Sequence, residues 1–398
     1  MFVKVAEDLI EKEMLAMGVH KAGIAIMGAK ASLVPLKIFK VRAPAANIIK
    51  QEMLALGGDC ATPEGAVTCT KTYVDILLLG SAVQYQRLIN KLIPMAEWFN
   101  IKAVINDLKE YLFFKHKPVV TKMADGNYLT YEKTRIMGII NATPDSFYAG
   151  SRSETVHGVL KKAEQMLAEG ADVLDVGGES TRPGSAAISA DEEQMRVVPA
   201  IRSLREAFPQ CILSVDTYHS TTAERALEVG ANIINDISAG EADGHMLEVA
   251  KKYAAPIILM HMRGTPQTMQ QNIAYENVVD EVAGYLFQRA KLCLEKGFTK
   301  EKIILDPGIG FAKDEKGNLT LIHNLKALTG QGMPVLLAAS RKGFIGKVLG
   351  NLAPGERLEG TLATSCQAVY AGAQMVRVHD VAQHVRVIRM LEAILQCP

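Results

Sequence analysis

Residues 211–262 read CILSVDTYHSTTAERALEVGANIINDISAGEADGHMLEVAKKYAAPIILMHM. This stretch holds three short apolar runs, CILSV, NIIND and PIILM, which are separated by segments compatible with helices. Runs this short and this continuously apolar are typical of parallel strands covered on both faces, rather than of a half-exposed sheet. The stretch therefore predicts consecutive strand–helix units of an α/β fold.

The same unit recurs eight times from Arg135 onward. The predicted strands are RIMGII (135–140), DVLDV (172–176), CILSV (211–215), NIIND (232–236), PIILM (256–260), KIILD (302–306), PVLLA (334–338) and QMVRV (374–378). Eight units over residues 135–398 match a (β/α)8 TIM barrel, whose usual size is about 250 residues. The alternative, an open doubly wound sheet, is less favoured because no long switch connection interrupts the units. A barrel predicts chemistry at the C-terminal ends of its strands.

Residues 1–125 do not continue this pattern. Helices are predicted over 5–17, 45–56 and 84–92, and strands over 36–41 and 74–79, which indicates a small α/β domain. Residues 126–134 form a linker or a hairpin that leads into the barrel. Gly23 and Gly28 resemble a phosphate-binding loop only superficially, because no GK[ST] follows them. The N-terminal domain shows no catalytic constellation, so an oligomerisation or packing role is the favoured interpretation.

Composition excludes several classes of protein. The 398 residues carry a formal net charge of +1, so no global field exists to hold nucleic acid or an anionic membrane. The six cysteines form no CxxC pair, and the N-terminal stretch mixes acidic with apolar residues, unlike a signal peptide. No stretch approaches the roughly 20 apolar residues that span a bilayer. We expect a cytoplasmic homodimer without membrane or nucleic-acid partners.

Polar residues follow almost every predicted strand. They include Asn141, Thr181, Arg182, Pro183, Asp216, Asn235, His261, Arg263, Asp306, Lys342, Arg377 and His379. Barrel geometry brings these side chains to one mouth, where carboxylates and amides face cations. Such a site suits a flat heterocycle with N–H donors beside an anion, because arginine binds phosphate oxygens bidentately. Singly, each residue has a structural interpretation: Asp216 or Asp236 could cap a helix, and His261 or His379 could be a hydrogen-bonded structural histidine.

Eight motifs occur together and in order. They are INATPDSF (140–147), GGESTRPG (177–184), SVDT (214–217), NDIS (235–238), LMHMRGTPQTMQ (259–270), LDPGIGF (305–311), SRKGFIG (340–346) and RVHD (377–380). In this set the chain resembles the dihydropteroate synthases from about Arg135 to its end. That family condenses 6-hydroxymethyl-7,8-dihydropterin diphosphate with 4-aminobenzoate, giving 7,8-dihydropteroate and diphosphate in folate biosynthesis.

The resemblance implies a role for each matching residue. Asp216, Asn235, Asp306 and Lys342 would hold the pterin, whereas Asn141, Arg182, Arg377 and His379 would hold the diphosphate. Asn141 would also be a ligand of Mg²⁺. Thr181, Pro183 and Phe147 would complete the aminobenzoate pocket near Lys342. The catalytic residues would be Asp216, Asp306, Lys342 and Arg377.

Two positions depart from the family pattern. Gly343 stands where many relatives have a serine that helps to hold the aminobenzoate carboxylate, so backbone N–H groups would have to replace that hydroxyl. Tyr148 and Ala149 stand where a Ser-Asp pair is common. This difference bears on the closed conformation of the loop after the first predicted strand. Neither departure removes a pterin or diphosphate residue.

Two other functions compete with the synthase. A pterin-dependent methyltransferase would share pterin binding, but the ESTRPG and SRK motifs are directed at diphosphate. A noncatalytic pterin-binding scaffold would not require Asn141, Arg182 and Lys342, all of which are present.

Overall fold

A computed structural model describes residues 3, 5–114, 117–142, 152–179, 187–271 and 273–397. The chain divides into two compact units, Met1–Lys117 and Pro118–Cys397. The division falls before the position near 125 expected from the sequence, because a hairpin that follows Lys117 packs with the barrel.

The N-terminal unit is a three-stranded antiparallel sheet with helices. Its strands are β1 (Val34–Arg42), β2 (Asp59–Ala61) and β3 (Tyr73–Gly80), in the order β1-β3-β2. Its helices are α1 (Ile10–Ala16), α2 (Lys21–Ala31), α3 (Ala43–Ala55), α4 (Ala82–Leu92) and α5 (Ile101–Phe114). A separate apolar core, which includes Ile49, Leu78 and Leu88, joins the sheet to α3, α4 and α5.

Three elements of this unit were missed from the sequence: β2, α2 and α5. Helix α2 contains Gly23 and Gly28, so those glycines form no phosphate-binding loop. One helix was predicted over residues 5–17. The structure instead has a 3-10 turn, Glu7–Leu9, followed by the shorter helix α1. The other predicted strands and helices of this unit are present with shifted ends.

The second unit is the predicted barrel. Its strands are β6 (Arg135–Asn141), β7 (Val173–Gly177), β8 (Ile212–Asp216), β9 (Ile233–Asp236), β10 (Ile257–Met260), β11 (Ile303–Asp306), β12 (Leu336–Leu337) and β13 (Met375–Val378). They form one parallel sheet in the order β11-β10-β9-β8-β7-β6-β13-β12. A parallel bridge between Leu305 and Val335 joins the two ends, so the sheet closes and the open-sheet alternative is wrong. The seventh strand is only two residues long, shorter than the predicted PVLLA.

Helices follow the strands around the sheet. They are α6 (Arg152–Ala168), α7 (Ala190–Ala207), α8 (Ser220–Glu228), α9 (Met246–Lys252), α10 (Val278–Glu295), α11 (Glu315–His323), α12 (Gly343–Val348), α13 (Leu358–Tyr370) and α14 (Val381–Gln396). Their apolar faces pack on the outward side chains of the strands in one large core. The helices cover the outer face of each strand, and the inner face points into the closed barrel. Both faces are therefore shielded from water, which is why the strands are largely apolar.

A hairpin closes the N-terminal floor of the barrel. Its strands are β4 (Val120–Lys122) and β5 (Tyr128–Thr130), with Gly126 in the turn at a φ of 88°. Buried Met123 and Leu129 contact the lowest inward residues of the barrel, such as Met137 and Val173. Because apolar side chains fill this end, bound molecules must enter from the opposite end, where the strands finish.

Within the described ranges, no helix combines the length and apolar character needed to cross a membrane. All six cysteines are free thiols.

Candidate active site

Buried and partly buried polar side chains lie at the ends of several strands at the mouth of the barrel. Asp216 and Asp306 are the last residues of β8 and β11, and Asn235 lies one residue before the end of β9. Asn235 is 4% exposed and Asp306 is 3% exposed. Burying carboxylates and an amide costs free energy unless hydrogen bonds compensate, so their partners define what the site can do.

Arg377 on β13 connects these side chains. Its Nε donates to Asp175 Oδ2 at 2.6 Å, and its Nη2 donates to Asp216 Oδ2 at 2.6 Å. The two carboxylates outweigh the effect of burial and raise the pKa of Arg377, so the guanidinium stays charged. The structure therefore confirms that cations and carboxylates of different strands meet at one place.

The sequence did not point to Asp175. It lies in the middle of β7, is fully buried, and accepts a second hydrogen bond from Asn235 Nδ2 at 3.0 Å. The signal was present in the run DVLDV, where a carboxylate interrupts an otherwise apolar strand between Leu174 and Val176. A charge at such a position requires a partner inside the barrel.

Asp216 has an unusual electrostatic environment. Burial raises the pKa of its carboxyl group to about 7. The cations of Arg377 and Lys342 oppose this rise, whereas the carboxylates of Asp175 and Glu193 add to it. Asp216 consequently titrates near neutral pH, which is common for groups at functional sites.

Lys342 precedes α12 and lies against the loop after β11. Its Nζ donates to the Ile309 carbonyl oxygen and stands 4.2 Å from the centre of the Phe311 ring. The aliphatic stem passes Gly310 so closely that a Cβ there would lie 2.6 Å from Lys342 Cδ. Burial lowers the pKa of Lys342 to about 8, although Asp306 counteracts that effect.

The loop after β11 is held tightly against the loop after β10. Asp306 Oδ1 accepts from the Gly308 N–H at 2.7 Å, and a Cβ on Gly308 would lie 2.0 Å from the His261 carbonyl oxygen. The close approach and a φ of 67° require glycine at this position. Burial raises the pKa of Asp306.

Lys313 is a second site-adjacent residue that the sequence did not reveal. It is 3% exposed and donates to the carbonyl oxygens of Gly308 at 2.9 Å and Phe311 at 2.8 Å. Its Nζ also lies 3.0 Å from His261 Nδ1, and burial lowers the pKa of His261 to about 3. Burial therefore favours the neutral form of His261.

His379 and Asn141 also lie at strand ends. Ser340 Oγ is 2.9 Å from His379 Nδ1 and accepts from the His379 backbone N–H at 3.2 Å, which ties the ends of the seventh and eighth barrel strands together. Asn141 ends β6 and pairs in register with Gly177 at the end of β7. Thr181, Arg182, Pro183 and Phe147 lie outside the described residues, as do Tyr148 and Ala149.

Two polar residues at strand ends have local roles instead. Asp236 is fully buried and accepts hydrogen bonds from the N–H groups of Ser238 at 2.7 Å and Gly240 at 2.6 Å, so it orders the loop after β9. Arg263 donates to Glu281 Oε2 at 2.5 Å and stacks 3.8 Å from the Tyr275 ring centre. Both residues organise loops around the mouth.

An acidic cluster lies beside the site. Glu179, Glu193 and His219 have ligand-type atoms within 4.8 Å of one another, the one such group found in the described part of the chain. Glu193 Oε2 already accepts from Thr217 Oγ1 at 2.6 Å and contacts His219 Nδ1 at 3.0 Å. Tyr218 donates to Glu179 at 2.8 Å. These hydrogen bonds hold the loop after β8, which starts from Asp216.

Comparison with known proteins agrees with this geometry. A sequence profile described as "Pterin binding enzyme" matches residues 137–379, the barrel and its mouth. Fold and site together define a pterin-binding barrel enzyme.

Individual relatives narrow the class of enzyme. The dihydropteroate synthase of Bacillus subtilis is 44% identical over 264 residues, 66% of this chain and 90% of that protein. The Escherichia coli K12 enzyme is 41% identical over 272 residues, 68% of this chain and 95% of that protein. The chain belongs to the dihydropteroate synthase family, and it is a transferase of folate biosynthesis.

Solved structures of dihydropteroate synthases also match this chain. Xanthomonas albilineans dihydropteroate synthase with 4-aminobenzoic acid matches with a TM-score of 0.66 and 36% identity over 71% of this chain and 100% of that one. The Burkholderia cenocepacia enzyme complexed with 7,8-dihydropteroate matches with a TM-score of 0.63 and 37% identity, and the match covers 70% of this chain and 97% of that one. These relatives favour the synthase over the methyltransferase and the scaffold. The N-terminal unit lies outside the profile match.

Proposed function

We propose that the mouth of the barrel carries out the synthase reaction with Asp216, Asp306, Lys342 and Arg377 as its catalytic residues. The observation that carries this proposal is the bridge of Arg377 between Asp175 and Asp216, because it gathers three strands at one charged point. Asp216 and Asp306 lie at the open end of the barrel, and the pKa values of both are raised. A network that only stabilised the fold would not need carboxylates of this kind there.

The pterin is assigned to the buried carboxylates and amide. Asp216, Asn235 and Asp306 offer acceptors in fixed positions for ring N–H groups, and Lys342 offers a donor for a ring carbonyl or nitrogen. The Phe311 ring beside Lys342 supplies an apolar surface. A ring lacking these N–H groups would leave buried acceptors unpaired, at a cost of about 1 to 3 kcal/mol each.

The diphosphate is assigned to Arg377 and His379, with Asn141 and Arg182. One residue separates Arg377, on β13, from His379, which directly follows that strand, and Asn141 ends β6, the strand that pairs with β13. Arginine is suited to this role because its planar fork matches phosphate oxygens.

Mg²⁺ fits the proposed diphosphate position. Mg²⁺ is usually held by one or two protein oxygens together with substrate phosphates and water, and the Asn141 amide oxygen is a ligand of this type. The Glu179–Glu193–His219 cluster fits less well, because its carboxylates already accept internal hydrogen bonds. When bound, the ion would neutralise charge on the departing diphosphate.

The reaction exchanges one bond for another at the pterin methylene carbon. The C–O bond to diphosphate breaks and its electron pair leaves with the diphosphate, while the amine nitrogen of 4-aminobenzoate forms the new C–N bond and then loses a proton to solvent. Positive charge grows on the pterin, where Asp216 and Asp306 stabilise it, and negative charge grows beside Arg377. The amine is itself the nucleophile, so no covalent enzyme intermediate is needed.

The aminobenzoate is assigned to Thr181, Pro183 and Phe147 near Lys342. Gly343 directly follows Lys342 and begins α12, so no side-chain hydroxyl is available there for the carboxylate.

The N-terminal unit is proposed to mediate assembly, with a cytoplasmic homodimer as the functional form.

The full-length protein is expected to form 7,8-dihydropteroate from the two substrates in the presence of Mg²⁺. Product formation can be followed by mass spectrometry, with 4-aminobenzoate omitted as the control. Chelation of Mg²⁺ should lower the rate without changing the product. Absence of product, under conditions in which the Bacillus subtilis relative is active, would contradict the proposal.

The pH dependence of kcat/KM is expected to be bell-shaped, with limbs near pH 7 and pH 8. Below the acid limb Asp216 is protonated and loses acceptor capacity, and above the basic limb Lys342 loses its charge. Initial rates measured across this range provide the test. Because substrate phosphates titrate near the acid limb, Lys342→Arg is the decisive variant: its guanidinium stays charged, so the basic limb should move upward. An unmoved basic limb would show that Lys342 does not set it.

A further inference from the structure

Asp175 lies deeper in the barrel than the residues at the strand ends that are proposed to contact the substrate. It lies in the middle of β7, is fully buried, and its Oδ2 accepts from both Arg377 Nε and Asn235 Nδ2. Asp175 therefore joins β7, β9 and β13 beneath the mouth. Breaking such a buried charged pair costs much more than losing a surface ion pair.

Within the described ranges, the second oxygen of Asp175, Oδ1, has no hydrogen-bond partner. Ser214 Oγ is likewise buried and unpartnered, and Asp175 and Ser214 are register neighbours on β7 and β8. Among the residues that the structure describes, Arg377 is the cation that pairs with Asp175, and it neutralises the charge of that carboxylate. Evolution toward stability alone would favour an apolar residue here, because well-packed hydrophobic replacements of buried ion pairs are often neutral or stabilising.

We propose that Asp175 is a positioning residue that anchors Arg377 through Nε and fixes the amide orientation of Asn235. This inference rests on the proposed function of the mouth. Arg377 has one hydrogen bond to the deep anchor and one, from Nη2, to Asp216 at the strand end. When the pterin engages Asp216, the anchor keeps the guanidinium in place and leaves its outer N–H groups for the diphosphate.

The same anchor determines what Asn235 presents to substrate. Because Nδ2 donates to Asp175, the amide is held with Nδ2 toward β7 and its carbonyl oxygen directed away from Asp175, where it can accept from a ring N–H. Loss of the anchor would let the amide rotate and offer a donor instead. Asp175 thus contributes to selection between ring edges that donate and ring edges that accept.

The test compares Asp175→Asn with Asp172→Asn in the full-length protein. Asp172 immediately precedes β7 at the opposite end of the barrel, where it pairs with Arg135 at 2.8 Å, so it is a matched control for charge loss near the same strand. We expect Asp175→Asn to lower kcat/KM for the pterin diphosphate on the order of ten- to a hundredfold. Asp172→Asn should lower thermal stability but leave kcat/KM unchanged.

The pH profile separates positioning from general damage. Asp216 faces the cations Arg377 and Lys342 and the carboxylates Asp175 and Glu193. Removing the Asp175 charge should therefore move the acid limb of kcat/KM to lower pH. Asp175→Glu keeps the charge but displaces the carboxylate, so it should lower kcat/KM while the acid limb stays in place.

Two results would overturn this inference while leaving the proposed function standing: an active wild type in which Asp175→Asn behaves like Asp172→Asn, or an Asp175→Glu variant with unchanged kcat/KM. The Glu variant also decides the question if the Asn variant does not fold. An inactive wild type would instead remove the proposed function itself.

Discussion

Replacing Arg377 with alanine is expected to lower kcat/KM by roughly a thousandfold, the larger end of the range for losing one preorganised charge-stabilising group. The change removes a proposed diphosphate ligand and leaves buried Asp175 and partly buried Asp216 as neighbouring carboxylates without their shared cation. Their mutual repulsion should also raise the pKa of Asp216 further, because Arg377 now opposes that rise. Steady-state kinetics measures the loss of kcat/KM, and the acid limb of its pH profile measures the change in the pKa of Asp216.

Arg386→Ala provides the control for this substitution. Arg386 is exposed on α14, the helix that follows the strand of Arg377. Its loss should leave kcat/KM within about twofold of the wild type, as is usual for surface positions. Equal losses of kcat/KM in the two variants would contradict the assignment of Arg377.

Replacing Lys342 with alanine is expected to lower kcat/KM by about a hundred- to a thousandfold. The ammonium group lies over Phe311 and near Asp306, and no other side chain in the described part of the mouth combines these two neighbours. Removing it takes away the proposed donor to the pterin and a cation that favours ionised Asp306. Kinetics with varied pterin diphosphate will show this loss.

Lys347→Ala is the matched control for Lys342→Ala. Lys347 lies on the same short helix, α12, and is exposed. We expect little change in kcat/KM, since its side chain is exposed. A Lys342→Ala enzyme as active as the Lys347→Ala enzyme would remove Lys342 from the catalytic set.

The barrel could be predicted from the sequence because each strand is a short apolar run with polar residues at its end or within a few residues after it. The N-terminal unit was harder. Helix α2 carries two glycines that suggest a loop, and β2 is only three residues long. Such elements depend on tertiary packing more than on local propensity.

The residues at strand ends could be found in the same way, but the residues beneath them could not. Asp216, Asn235 and Asp306 stand where the barrel opens, so position alone suggested a function. Asp175 interrupts an apolar strand, but its partner Arg377 is distant in the chain, so the pair is evident only from the structure. Lys313 contributes through backbone carbonyl oxygens, and no sequence motif encodes such contacts.

The hairpin between the two units illustrates the limit of boundary prediction. A polar stretch with a turn at Asp125-Gly126 could equally be a linker or part of a domain. Its role depends on Met123 and Leu129, which are apolar and pack into the floor of the barrel. The hairpin therefore has to remain with the barrel in any truncated protein.

The central claim is that the barrel mouth alone carries the chemistry, and the most direct test is the rate of 7,8-dihydropteroate formation by the full-length chain and by residues 118–398. If the truncated chain folds, we expect both proteins to make the product, with the truncation chiefly changing assembly or solubility. A folded, correctly assembled 118–398 protein that neither binds pterin nor forms product would contradict the claim.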